Sequence, residues 1–265
     1  MFRFFLAALS LAVLAACASQ PPGEPPPAAP PGPPIRFLLS FDDGPAPSTA
    51  KVLDALAANP VQPGVKAIFF VQTRVAGIEG QEMMRRTHAE GHLLAVHTGT
   101  AQGHVSHMAL SREELEESLR HAQADIAAIA GAAPRFVRPP FWFYDDDALA
   151  SYSRVDLAML LTDVNALDGQ VLGINLVPAR RMIVRAQLAR IKQAWQQGSL
   201  PVLDGATPII ATFHDVNTRT ADNLSEYLQL LVEESRALGL TLAGRPFYDR
   251  RADLERAAGV RARRL

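Results

Sequence analysis

Two adjacent acids, Asp42 and Asp43, stand inside the run Ser40-Phe41-Asp42-Asp43-Gly44-Pro45, at the end of an apolar stretch. Neighbouring carboxylates repel each other, and a divalent cation offsets that charge directly. One acid could then bind the cation while the other takes a proton. An Asp-Gly-Pro turn with a spare acid is the plainer alternative. His92, His97, His104 and His107 are four of only seven histidines and lie close together. Neutral imidazole suits zinc, and a third ligand from Asp43 would leave one coordination position open for water. Some of the histidines must be ordinary ones, and His88, His92 and His121 are expected at the surface. The single cysteine is Cys17. It permits no intrachain disulfide and leaves no thiolate for a metal in the folded part, so any metal takes His, Asp or Glu.

Positioning these groups requires strands and helices in alternation. Residues 35–41, 65–71, 93–96, 135–137, 157–161 and 209–213 read as short strands, with a final one at 240–242. Helices are expected over 48–58, with Ser48 as N-cap, and over 79–89, 177–197 and 223–238. Ser111-Arg112-Glu113-Glu114 has capping-box spacing and opens a long helix to about Ala130, closed by Gly131. Strands alternating with helices imply a parallel sheet. About seven such units suggest an α/β fold of the irregular (β/α) barrel kind. Each apolar run ends in a chemically capable residue: Asp42 and Asp43, Gln72 and Thr73, His97, Arg138, Asp163, then His214 and Asp215. Parallel α/β folds bind ligands at the carboxyl ends of their strands, so these residues are expected to converge on one mouth.

The first residues read as an export signal, with Arg3 before an apolar run from Phe4 to Val13. Leu14-Ala15-Ala16-Cys17 resembles a bacterial lipobox. That resemblance implies a signal segment over 1–17, a lipid on Cys17 and a membrane as partner. Ala18 after the cysteine favours the outer membrane, with the protein on the periplasmic face of the envelope. Residues 18–34 are rich in proline and read as a semi-rigid polyproline II spacer. Residues 35–265 then form one domain, with no second linker and no internal repeat. A formal net charge of −1 gives no field to attract nucleic acid. The arginine-rich stretch from Arg250 to Arg264 reads as a solvated tail.

Five motifs taken in order carry a family resemblance. They are Ser-Phe-Asp-Asp-Gly-Pro at 40–45; His92 and His97-Thr98 in the Gly-His-x4-His-Thr run; Arg138-Pro139-Pro140-Phe141; Asp163-Val164-Asn165-Ala166-Leu167-Asp168; and Phe213-His214-Asp215. The chain is thereby similar to the polysaccharide deacetylases (carbohydrate esterase family 4, the chitooligosaccharide deacetylase type). The resemblance implies a metal-dependent hydrolase that removes N-acetyl groups from N-acetylglucosamine-containing polysaccharide or oligosaccharide. It implies Asp43 and His97 as ligands of a divalent metal, most simply Zn2+, and Asp42 as the general base. Arg138 would pair with that base and His214 would be the general acid. Asp163 or Asp168 would orient His214, and the Phe141 amide would help to hold the oxyanion. An amide is a poor electrophile, so such a site needs activated water, a stabilised oxyanion and a proton for the leaving amine.

The match departs from the family in three places. Ala101 stands where the second metal histidine usually falls. A three-residue insertion with Gly99 and Gly103 would loop out and return His104 to the site, with His107 as the alternative or an additional ligand. Trp142 replaces a common glycine, and Gly169 stands where a pocket-lining tryptophan is usual. Phe141, Trp142 and Tyr144 are therefore candidate sugar-contacting residues, with Phe143 beside them. Two other functions share these features: an O-acetyl esterase on acetylated glycans, and a non-catalytic polysaccharide-binding lipoprotein.

Overall fold

A computed structural model describes residues 32–171, 174–175 and 179–265. The expected signal segment, Cys17 and the spacer up to residue 31 lie outside the described residues. In chain order the elements are β1 (Ile35–Asp42), α1 (Thr49–Ala57), β2 (Ala67–Gln72), α2 (Gly77–Ala89), β3 (Leu93–Thr98), α3 (Arg112–Ala130), β4 (Phe136–Val137), α4 (Asp146–Arg154), β5 (Ala158–Met159), β6 (Val164–Asn165), β7 (Gln170–Val171), β8 (Ile174–Asn175), α5 (Arg180–Gln196), β9 (Thr207–His214), α6 (Thr218–Ala237), β10 (Leu242–Phe247) and α7 (Arg251–Arg261). Two short 3-10 turns, His107–Ala109 and Pro140–Trp142, lie in the loops after β3 and β4.

β1 is buried along its length except at Arg36, as a central parallel strand covered on both faces must be. Phe37, Leu39 and Phe41 join the larger apolar cluster, to which the helices contribute, while Leu38 joins a second cluster on the opposite face. Successive side chains of a strand point to opposite faces, so Ser40 and Asp42 continue the face of Leu38. β9 pairs in parallel along all of β1, with Asp42 opposite His214. The other edge of β1 is shared, β10 taking its first residues and β2 its last. The sheet runs β5-β4-β3-β2-β1-β9-β6, seven parallel strands curled as a half-barrel. The expected fold class is present, although among the described residues no pairing joins β5 to β6. β7 and β8 make a separate antiparallel pair.

The helix ends carry two lessons. At α3 the Ser111 hydroxyl accepts from the Glu114 amide, the Glu114 carboxylate accepts from the Ser111 amide, and Gly131 closes the helix in the left-handed region. At α1 the expected Ser48 cap is not made: its hydroxyl donates instead to the Asp215 carbonyl at 2.5 Å. α6 begins before the expected Asn223, capped by Asn217, and Asn223 marks a kink within it.

The arginine-rich stretch is not a solvated tail. It forms β10's turn into α7, which buries Leu254, Ala257 and Ala258 in the inner cluster with Leu38, Ile68, Phe70 and Leu160. Beyond α7, Arg263 makes an antiparallel bridge to Met159 on β5, donating and accepting at 2.8 Å. Pro33 and Pro34, expected in the spacer, bond to the domain: the Pro33 carbonyl accepts from Trp195 Nε1 at 2.6 Å and the Pro34 carbonyl from the Thr207 amide at 2.8 Å.

Candidate active site

The carboxyl ends of β1, β3, β4 and β9 converge as the sequence pattern predicts. Asp42 is buried at the end of β1, and Arg138, fully buried after β4, donates from Nη1 to Asp42 Oδ1 at 2.7 Å. The same nitrogen reaches Ser40 Oγ at 2.8 Å, while Nε and Nη2 donate to the carbonyls of Leu160 and Leu161. The guanidinium lies over the Phe70 ring, 4.0 Å from its centroid, with Trp142 at 4.9 Å. Burial alone would strip such a cation of its proton more readily, and the Asp42 charge opposes that. An ion pair this dry needs its remaining donors filled, and here backbone and hydroxyl oxygens fill them.

Asp43 leaves the strand with φ of 74°, a left-handed turn at a non-glycine residue. Its Oδ1 lies 3.1 Å from both His97 Nε2 and His104 Nε2, and the two imidazole nitrogens are 3.2 Å apart. His97 Nδ1 faces the Arg138 carbonyl at 2.8 Å; with a cation in the cluster, a proton at Nδ1 would leave the Nε2 lone pair for it. Burial works against the charge on Asp43, but the hydrogen bond and charge of His97 and the charges of His214 and His104 hold its carboxyl below the usual range. His104 is pushed down, chiefly by burial. Among the described residues this is the only group of three or more His, Cys, Asp or Glu placed to hold a metal. Ligands about 2.0–2.2 Å from a tetrahedral Zn2+ stand about 3.3 Å from one another, so the donor set and its spacing fit such an ion.

The loop after β3 brings His104 back beside His97 through specific contacts. Gly99 lies so close to α3 that a Cβ would sit 2.1 Å from the Ser118 carbonyl oxygen. Gly103 turns in the left-handed region with φ of 78°, and its carbonyl accepts from Thr100 Oγ1 at 2.7 Å. His107 does not join the cluster. It is buried, its Nδ1 lies 2.8 Å from the Tyr152 hydroxyl, and burial first, with the charges of His97 and His104, pushes its pKa down to about 3. It lies outside the group formed by Asp43, His97 and His104. His92, expected at the surface, is likewise buried: its Nδ1 accepts from the Ala67 amide at 3.1 Å and its ring meets Phe69 edge-on.

On the other side of the mouth, His214 Nε2 stands 3.9 Å from Asp43 Oδ2, and its Nδ1 lies 2.8 Å from Asp168 Oδ1. Asp168 is fully buried and also accepts from Thr220 Oγ1 at 2.5 Å and from the His214 amide at 3.3 Å. Burial pulls the His214 pKa down, but the hydrogen bond and charge of Asp168, with Asp42 and Asp43, push it up to about 9. Asp163 is not the partner of His214. Its carboxylate takes the Arg261 guanidinium of α7 and the Ile210 amide, which ties the closing helix to the sheet.

The aromatic candidates separate. Phe141 is 47% exposed, and its ring lies 4.3 Å from that of His104. Phe143 is 61% exposed beside it. Trp142 packs on Arg138 instead, and the Tyr144 hydroxyl meets Arg263 at 3.2 Å, so neither presents a free ring like those of Phe141 and Phe143. Phe141 and Trp142 both lie in the left-handed region, with φ of 59° and 66°. Missed by the sequence reading was the part played by Thr220 behind Asp168, since Thr220 precedes the helix expected from residue 223 and nothing in its spacing points to Asp168.

Fold and site define a class: an α/β half-barrel whose strand ends gather a carboxylate–imidazole cluster between two buried charged pairs. The Polysaccharide deacetylase family model matches residues 30–160. A chitooligosaccharide deacetylase of Bradyrhizobium sp. (strain ANU 289) is 37% identical over 160 residues, covering 58% of this chain and 65% of that protein. A chitin deacetylase of Pestalotiopsis sp. is 29% identical over 137 residues, 51% of this chain and 44% of the relative. The chain thus spans less than two thirds of either relative. The solved chitin deacetylase of Colletotrichum lindemuthianum shares the fold at TM-score 0.57 and 24% identity, over 81% of this chain and 90% of that one. A family 4 carbohydrate esterase from Streptomyces lividans does so at TM-score 0.54 and 20% identity, over 81% and 93%. The likeness to the polysaccharide deacetylase family thus rests on residues 30–160, just under half of the chain.

Proposed function

We propose that this domain is a metal-dependent N-deacetylase of N-acetylglucosamine-containing glycans. The observation that carries the reading is the convergence of Asp43, His97 and His104 on one point between the Arg138–Asp42 and Asp168–His214 pairs. Those three residues would hold the cation. When bound, it supplies Lewis acidity, polarising the acyl carbonyl and making water more acidic. Asp42, oriented by Arg138, takes the proton of the attacking water. The Phe141 amide is the donor assigned to the oxyanion. His214, kept protonated by Asp168, gives its proton to the departing nitrogen, without which an amine does not leave. Acetate and a free amino sugar result. Phe141 and Phe143 offer exposed rings next to the centre on which a sugar face can lie.

The proposal includes export and lipid attachment at Cys17, which mass spectrometry of the membrane fraction tests directly. For the chemistry, the purified chain is supplied with zinc and acetate release is followed from chitin oligomers and from acetylated xylan. Release from the chitin oligomers supports the N-deacetylase. Release only from xylan makes it an O-acetyl esterase, and glycan binding without turnover makes it a binding protein.

A further inference from the structure

The left-handed turn that aims Asp43 is held from both sides. On one side Gln72, the last residue of β2, donates its backbone amide to the Gly44 carbonyl at 2.8 Å and its side-chain amide to the Asp43 carbonyl at 2.9 Å. On the other side lies Asp215, just past β9. Its carboxylate is seated so tightly against Gly44 that a Cβ there would fall 2.1 Å from Oδ2 and 2.5 Å from Oδ1.

Asp215 takes no part in the chemistry proposed above, because Asp168 holds His214 Nδ1. It is 1% exposed, its Oδ2 accepts from the Thr49 hydroxyl, and Oδ1 has no hydrogen-bond partner among the described residues. Burial pushes its carboxyl up to about 7. Keeping a half-satisfied acid in so dry a place is costly, so a gain elsewhere must offset it. Thr49 Oγ1 also accepts from the Ala46 amide at 2.9 Å, so Asp215, Thr49 and Ala46 form a chain that fixes the segment leading away from Asp43.

We propose that Asp215 is a positioning residue of the metal centre: with Gln72 opposite, it sets the turn that brings Asp43 Oδ1 to the point shared by His97 and His104. This rests on the metal reading of the site. Groups behind a metal ligand are typically worth about 10- to 100-fold in metal affinity, which is the scale expected here.

The test uses the full chain with cobalt(II) as the probe, reading its affinity and its visible d–d bands, beside melting of the metal-free protein. Asp215→Ala is expected to weaken cobalt binding about 10-fold or more and to alter the bands. Asp215→Asn keeps the shape and an acceptor for Thr49, and is expected to restore most of the affinity. Gly44→Ala should weaken binding, and adding Asp215→Ala to it should recover part of the loss by removing the clash. If Asp215→Ala does not fold, Thr49→Val provides the milder perturbation, with weaker cobalt binding expected. Wild-type affinity and bands in Asp215→Ala or Thr49→Val, with only the melting temperature lowered, overturn the proposal. Failure of the parent chain to bind cobalt at all overturns the metal reading itself.

Discussion

Replacing Asp168 with asparagine removes the charge that keeps His214 protonated, and its size can be worked from the structure. His214 rises from 6.5 to about 9 although burial pulls it the other way. At 1.36 kcal/mol per unit, that is a net stabilisation of the imidazolium on the order of 3 kcal/mol. Without the Asp168 carboxylate the burial contribution dominates, and the pKa is expected at or below 6.5. Near pH 8, the protonated fraction then falls from about nine tenths to about one thirtieth, which predicts a roughly 30-fold loss of deacetylation from protonation alone. The loss should shrink as pH is lowered towards 6, where both proteins carry the proton. Stability follows the same linkage: a raised histidine pKa contributes fully below 6.5 and is lost as pH rises through about 9, so the variant's deficit fades above that point. The assays are a pH–rate profile on a chitin oligomer and an NMR titration of His214 in chelator-treated protein. A loss of rate equal at acid and alkaline pH, with the His214 titration unmoved, would refute the reasoning.

Arg138→Met leaves Asp42 buried and unpaired, and is expected to cost about 3–5 kcal/mol in urea unfolding, with activity lost as well; a cost under about 1 kcal/mol would mean that the pair is wetter than its geometry indicates. Asp163→Asn should destabilise the fold by about 1–3 kcal/mol through Arg261 and the Ile210 amide while leaving turnover within about twofold, which separates it from Asp168→Asn. His104→Ala should empty the metal site when zinc content is measured, whereas His107→Phe should retain zinc and lose stability; zinc loss in the second variant but not the first would reverse the assignment. His92 and His107, each pushed down to about 3, are neutral when folded but take up protons below 6.5 when unfolded. Stability measured by thermal melting should therefore fall as pH drops from 6.5 towards 3.

Much of the site was legible because a parallel sheet forces it. Once the apolar runs were read as parallel strands, Asp42, Asp43, His97, Arg138 and His214 had to emerge at the same end. What was not legible depended on loops and distant partners. Asp163 and Asp168 both follow β5 at short range, and only the turn through Leu167, with φ of 55°, brings the second to His214. The competing partner of Asp163 is Arg261, far along the chain on a helix that composition disguised. That helix did leave a trace: Leu254, Ala257 and Ala258 recur at helical spacing among the arginines, and it is this face that is buried. His92 and His107 were indistinguishable by type from a ligand. Their roles come from a backbone amide and a tyrosine hydroxyl, and neither partner is visible in local spacing.

One residue serves both halves of the proposed chemistry. Arg138 grips Asp42 with its side chain and His97 with its carbonyl. Displacement at the end of β4 would therefore carry the proposed base and a proposed metal ligand together. Displacement common to both leaves their separation unchanged, and only relative motion would spoil alignment. In the proposed chemistry such an arrangement would act as a common-mode filter: displacement at the mouth of the half-barrel would leave the spacing of these two groups nearly unchanged.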